Sequence, residues 1–181
     1  MNKETDIEIL KLFRNDDSKH KGFTLLVNSY KERLYWHIRR IIIDHDDSDD
    51  VLQNVFLKCW KSLNSFRNDS LLYTWLYRIA TNESITFLKK KRGNENIELS
   101  EEAYHLQAAQ AEFIMDADEI EIRLERAILQ LPEKQRLVFH LKYYENLKYD
   151  TISEITGTSV GALKASYFHA VQKIKDFVTK D

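Results

Sequence analysis

Apolar residues in the first 92 positions recur at intervals of three and four, the spacing of helices that bury one face. The pattern predicts amphipathic helices at about 6–14, 23–43, 49–63 and 71–91. In the third helix, the stripe expected to face the core contains Val51, Leu52, Val55, Phe56, Cys59 and Trp60. The N-terminal half is therefore expected to form a small helical bundle.

The last third of the chain carries a second helical pattern. One helix is marked by Ile120, Leu124, Ala127, Ile128 and Leu131. Pro132 is expected in the first turn of the next helix, where its missing N–H is tolerated. The stripe of that helix contains Leu137, Val138, Leu141 and Tyr144.

Two short helices follow with the spacing of a helix-turn-helix. Tyr149, Ile152 and Ile155 lie on one face of the first helix, Gly157 supplies the turn, and Ser159 is placed to cap the second. The inward stripe of the second helix is expected to contain Val160, Leu163, Tyr167, Ala170, Val171 and Ile174.

Composition supports an all-α fold of two small helical domains. Four glycines, one proline and the lack of long alternating runs argue against a sheet. The net charge of −2 hides a strong segregation: 17 basic residues face 13 acids in residues 1–92, one faces ten in 93–125, and nine face six in 126–181. We therefore predict domains at 1–92 and 119–181, joined by an acidic linker at 93–118 that is either a plain spacer or a mimic of nucleic acid.

The single cysteine, Cys59, excludes an internal disulfide. The start MNKETDIEIL has no apolar signal core, and no window approaches the roughly 18 apolar residues that span a bilayer. We expect a cytoplasmic protein without direct membrane contact.

Two short motifs resemble metal sites without meeting their requirements. Counted as a calcium loop from Asp44, the run DHDDSDD has Asp49 where glycine is needed and Val55 where a bidentate glutamate belongs. Its acids fit better at a helix N-terminus, with Ser48 or Asp49 as the cap. An E-x-x-H motif (Glu102, Ala103, Tyr104, His105) lacks the second copy that a di-metal bundle needs. We predict no metal site, no cofactor, no catalytic residue and no enzymatic activity.

One candidate surface lies on the third helix, opposite its core stripe. Such a face is most often simply solvated, but an apolar centre ringed by polar groups is also typical of a docking surface. Its members are Asp50, Gln53, Asn54, Leu57, Lys58 and Lys61.

A second candidate surface interleaves aromatic and basic residues, which suits melted DNA because unstacked bases bind ring faces or loop pockets while cations hold phosphates. Trp75 follows core spacing and is assigned to packing, and the basic run that ends the helix could equally stabilise its C-terminus. The candidate contacts are Phe66, Arg67, Asn68, Asp69, Ser70, Leu71, Arg78, Asn82, Lys89, Lys90, Lys91 and Arg92.

A third candidate surface is the outward side of the second helix in the helix-turn-helix. Lys164 suits a phosphate or guanine, Phe168 a thymine methyl group, and His169 a base or phosphate. The candidate contacts are Ser159, Lys164, Ala165, Ser166, Phe168, His169, Gln172 and Lys173.

Three motifs in this order resemble an extracytoplasmic-function (ECF) sigma factor of the sigma-70 superfamily. DDVLQNVFLKCWK resembles the core-binding helix of that family, FRNDSLLYTWLYRIATNESITFLKKKR its promoter-melting and minus-ten segment, and the segment from LPEKQR to AVQKIK its minus-thirty-five reader. The resemblance implies a transcription initiation factor whose three surfaces meet, in turn, the β′ clamp helices of core RNA polymerase, a flipped minus-ten base, and minus-thirty-five DNA.

The resemblance also implies further partners. The linker would thread toward the RNA exit channel, the C-terminal helices would touch the β flap, and a membrane-bound anti-sigma factor would hold the protein inactive, with the free protein a monomer. The chain departs from the family pattern at Asn54, where glutamate is frequent, and at Ser166 and His169, where arginine is usual. A stand-alone helix-turn-helix regulator would explain only the C-terminal domain and leaves the first two surfaces without a purpose.

Overall fold

The computed structural model describes residues 3–94 and 119–179. The chain divides into two compact units between Leu88 and Lys89. Helices and their connecting turns make up the described residues of both units, which confirms the all-α prediction. Residues 95–118, with most of the predicted linker and the Glu102 to His105 motif, lie outside the described residues.

The first unit contains the four predicted helices with small shifts at their ends. They are α1 (Lys3–Phe13), α2 (Lys19–Ile42), α3 (His45–Ser62) and α4 (Leu72–Asn94), with a 3-10 turn at Leu63–Ser65. The last six residues of α4 lie beyond the division between the units. α4 runs past the predicted end at Lys91 and takes up the first two positions assigned to the linker.

The predicted cap of α3 was wrong, because the helix begins earlier than the apolar spacing indicates. Asp44 is the N-cap, and its side chain accepts a hydrogen bond from the backbone N–H of Asp47 at 2.9 Å. Ser48 is instead buried in the first turn, where its hydroxyl donates to the Asp44 carbonyl. The acids Asp46 and Asp47 lie in that first turn, where negative charge complements the helix dipole.

A buried histidine joins α2 to α4. His37 is fully buried, its Nε2 lies 2.9 Å from the Thr81 hydroxyl, and its ring centroid lies 4.6 Å from that of Tyr77. Burial lowers the pKa of His37 from 6.5 to about 3, with the nearby Arg40 charge acting in the same direction. The imidazole is therefore neutral in the folded unit near pH 7.

This histidine should make the first unit sensitive to acid. Below pH 6.5 the unfolded chain binds a proton at His37 that the folded chain does not bind until about pH 3. Between pH 7 and pH 5, His37 should therefore lower the free energy of unfolding by about 2 kcal/mol. We expect His37→Gln to lose less stability than wild type over this interval, measured by urea titration with tryptophan fluorescence; parallel losses would contradict the assignment.

The second unit contains α5 (Glu119–Leu129), α6 (Glu133–Tyr143), α7 (Tyr149–Thr156) and α8 (Val160–Val178). Pro132 is the N-cap of α6, one position before the predicted first turn. Gly157 adopts φ of +68° at the end of α7, and Ser159 caps α8 by accepting a hydrogen bond from the Ala162 N–H at 3.4 Å. The helix-turn-helix joint therefore has the predicted residues in the predicted places.

The core of this unit differs from the predicted stripes in two respects. Phe139 and His140 are buried beside Val138 and Leu141, because α6 packs against both α7 and α8 and so buries more than one stripe. Val171 is 36% exposed, so it does not belong to the inward stripe of α8. One buried cluster contains Ala127, Ile128, Leu131, Phe139, Ala170 and Ile174.

Candidate functional site

The outward face of α3 is exposed at all six predicted positions, while Val51, Leu52, Val55 and Cys59 are buried on its other side. Burial also raises the pKa of the Cys59 thiol to about 12, which leaves it unreactive at neutral pH. The exposed residues are Asp50, Gln53, Asn54, Leu57, Lys58 and Lys61. We call this set the α3 face.

The α3 face has an apolar centre and a salt bridge at its edge. Leu57 is 58% exposed and lies among the polar and charged residues of this face. The Lys58 ammonium group donates a hydrogen bond to the Glu83 carboxylate of α4. Sequence spacing did not reveal Glu83, because the two residues are 25 positions apart.

The loop between α3 and α4 has a buried aromatic residue, Phe66, followed by an exposed polar segment. Phe66 is only 7% exposed, and its ring centroid lies 5.4 Å from that of Trp75. In this conformation the Phe66 ring forms part of the core, which argues against the expected contact between this ring and a DNA base. Tyr73 and Tyr77 are buried as well, so most of the aromatic side chains near this surface serve packing.

The exposed tip of this loop consists of polar side chains. Arg67, Asn68 and Asp69 are exposed, and Asn68 adopts φ of +61°, a left-handed conformation that asparagine tolerates better than most residues. Ser70 is half-buried, and Leu71 is 49% exposed. We call residues 67–69 the loop tip.

Candidate residues on α4 are exposed and mostly basic. Arg78, Asn82, Lys89, Lys90 and Lys91 are exposed, while the side chain of Arg92 lies outside the described residues. Cations in this arrangement can neutralise phosphates without selecting a sequence.

The outward side of α8 is exposed at most of its predicted positions. Phe168 is 59% exposed, and its ring centroid lies 5.7 Å from that of His169. Ser166 is half-buried. The exposed members are Ser159, Lys164, Ala165, Phe168, His169, Gln172 and Lys173, which we call the α8 face.

One feature beside the α8 face was missed by the sequence analysis. The Lys142 and Lys164 Nζ atoms lie 5.2 and 5.9 Å from the ring centroid of Tyr149, so two cations from α6 and α8 flank the start of α7. Little in the sequence indicated this arrangement, because Lys142, Tyr149 and Lys164 lie on three different helices. In the described part of the chain, no group of three or more His, Cys, Asp or Glu residues is arranged to hold a metal ion.

Comparisons with known protein families give a match in each half of the chain. Residues 26–93 match sigma-70 region 2, and residues 121–174 match sigma-70, region 4. The RNA polymerase sigma-H factor of Pseudomonas aeruginosa is 31% identical over 96% of this chain and 94% of its own length. The ECF RNA polymerase sigma-E factor of Haemophilus influenzae is 32% identical over 95% and 94%. This chain belongs to the ECF sigma factors of the sigma-70 family.

Solved structures agree with the sigma-factor fold. The sigma factor RpoE of Bartonella quintana, solved with the anti-sigma factor NepR, matches with a TM-score of 0.68 at 19% identity, over 89% of this chain and 99% of its own. CnrH, solved with the cytosolic domain of CnrY, gives the same TM-score and identity over 96% and 97%.

This sigma factor is a transcription initiation factor that recognises promoters for RNA polymerase. Sigma factors as a family are not enzymes. Among its described helices, none is both long and apolar enough to cross a membrane.

Proposed function

We propose that this sigma factor docks on the β′ clamp helices of core RNA polymerase through the α3 face. The observation that carries this proposal is the exposure of Leu57 at the centre of an otherwise polar surface. At protein interfaces, a few desolvated residues near the centre contribute much of the affinity, while the surrounding groups exclude water. Gln53 and Lys58 are the polar groups expected to contribute specificity.

We propose that the loop tip reads a flipped base of the minus-ten element in melted DNA. Arg67, Asn68 and Asp69 together offer both hydrogen-bond donors and hydrogen-bond acceptors, which recognition of a base edge requires. The exposed cations of α4 would hold the phosphates of the same strand. Ser70, Leu71 and Asn82 lie close in sequence to these groups and complete the proposed surface.

In the second unit, we propose that the α8 face enters the major groove of the minus-thirty-five element. Lys164, Phe168 and His169 combine a cation, an exposed ring and an imidazole within two turns of one helix. These groups can contact a guanine or phosphate, a thymine methyl group and a base edge. Ala165 leaves room for close approach, and Gln172 and Lys173 lie one turn further along.

The remaining assignments concern the whole protein. We propose domains at 1–92 and 119–181, with residues 93–118 as a linker toward the RNA exit channel and the C-terminal helices at the β flap. We also propose a cytoplasmic, monomeric and non-enzymatic protein, since core polymerase is its working partner. We also propose an anti-sigma factor as a partner, bound to the membrane as the resemblance implies. The sigma factor RpoE of Bartonella quintana was solved with the anti-sigma factor NepR, and CnrH with the cytosolic domain of CnrY, which supports a protein partner of this kind here.

Binding to promoter DNA with and without core polymerase tests the proposed function. Because Ser166 and His169 supply no permanent charge, few phosphate contacts are available to the α8 face, and each missing contact lowers the salt dependence of binding by about one unit. We expect weak binding of the free protein to a promoter duplex at physiological salt, and sequence-specific binding once core polymerase is added. Tight binding of the free protein would favour a stand-alone regulator.

A further inference from the structure

The loop before α4 is held by a residue that precedes the family match. Arg14 follows α1, whereas the match to sigma-70 region 2 begins at residue 26. The Arg14 Nη2 donates a hydrogen bond to the Phe66 carbonyl oxygen at 3.0 Å, between residues 52 positions apart. The start of the loop is therefore attached to the end of α1.

α1 is itself firmly placed. Phe13 and Ile9 are buried, and a Cβ at Gly22 of α2 would lie only 2.6 Å from the Phe13 backbone nitrogen, so the two helices are in close backbone contact. The Phe13 ring meets Trp60 edge-on, with centroids 5.3 Å apart. Since Trp60 lies in the last turn of α3, Arg14 starts from a fixed position beside the point where the loop leaves that helix.

Phe66 is held at two points. Its carbonyl oxygen accepts from Arg14, and its ring packs on Trp75 of α4. The loop tip follows directly, with Asn68 in the left-handed region. Because only a few bonds separate Phe66 from the tip, the orientation of the Phe66 peptide sets the direction in which the tip side chains point.

We propose that Arg14 is a positioning residue for promoter discrimination, because it fixes the Phe66 peptide and thereby the loop tip. This inference rests on the proposed function of the loop tip. A site that must distinguish one base from another depends on groups already held in place, because ordering a mobile loop on binding weakens the preference for the correct base. Loss of the guanidinium should therefore reduce discrimination at the minus-ten element and leave docking on core polymerase unchanged.

The test compares Arg14→Gln and Arg14→Lys with Lys11→Gln, which removes an exposed charge from α1, three positions before Arg14. Each protein is reconstituted with core polymerase, and run-off rates are measured at a promoter used by the wild type and at its single-base minus-ten variants. We expect Arg14→Gln to lower the ratio between the original promoter and its variants roughly three- to tenfold, the scale of one typical hydrogen bond. Arg14→Lys, which retains a charged donor, should recover most of the ratio, and Lys11→Gln should match wild type.

Two outcomes would overturn the inference. The first is an unchanged ratio in Arg14→Gln, meaning that this variant distinguishes the original promoter from its minus-ten variants as well as wild type does. The second is an equal loss of run-off rate at every promoter, together with weaker core binding or a lower unfolding temperature and no recovery in Arg14→Lys. That result would show that Arg14 supports the fold and not promoter discrimination. Failure of the proposed function is recognised separately. The wild-type protein would then bind core polymerase, but its holoenzyme would show no preference at the minus-ten positions, and the inference would be overturned as well.

Discussion

Replacing Lys164 and Phe168 together by alanine should lower promoter-dependent initiation roughly 10- to 100-fold, because the two contacts, neither of them bidentate, should together contribute about as much as one good bidentate base contact, about 1–3 kcal/mol. Both side chains are exposed on the α8 face and contribute little to packing, so the free energy of unfolding should stay close to that of wild type. The measurement is run-off transcription by holoenzyme assembled with saturating sigma factor.

Lys175→Ala is the matched control, since this lysine is exposed on the same helix and lies outside the α8 face. A template with a scrambled minus-thirty-five element provides the second control. On that template, the double variant should initiate no more slowly than wild type, because the contacts are already lost. A similar reduction on both templates would show that the two residues act elsewhere.

Replacing Leu163 by alanine should lower the free energy of unfolding of the second unit by about 3 kcal/mol, the usual cost of a cavity left by a fully buried leucine. Val171→Ala, on the same helix, should cost less than about 1 kcal/mol because Val171 is partly exposed.

The chain allows the two units to be followed separately. All three tryptophans, Trp36, Trp60 and Trp75, lie in the first unit, so their fluorescence reports that unit alone. Far-UV circular dichroism in urea follows the loss of helix in both units. A transition that appears in the circular dichroism and not in the fluorescence therefore belongs to the second unit. Equal costs for Leu163→Ala and Val171→Ala would contradict the packing described for α8.

The spacing of apolar residues along the chain predicted the features that are set by residues close together in sequence. The α3 face is an example: its exposed and buried positions follow from 3.6 residues per turn once Val51 and Val55 are assigned to the core. The joint between α7 and α8 is another, because Gly157 and Ser159 act through the local backbone. Both features involve residues within a few positions of one another.

Features that depend on distant residues could not be predicted in this way. Phe66 reads as an exposed loop aromatic until Trp75 and Arg14 are placed around it, and Arg14 is 52 positions away. Phe139 and His140 fall outside a single stripe, and they are buried because α6 has two helical neighbours. The cap of α3 was misplaced because the first turn of this helix, HDDS, contains no apolar residue that would mark its start.

Binding to purified bacterial core RNA polymerase tests most directly whether this sigma factor docks on polymerase through the α3 face. Wild type is compared with the double variant Gln53→Ala and Lys58→Glu, and with a control pair of the same chemistry at exposed positions on α2, Asn28→Ala and Lys31→Glu. We predict tight binding by wild type and by the control pair, and loss of binding in the first variant at unchanged helical content. Absence of wild-type binding to core from the native or a closely related host would contradict the account.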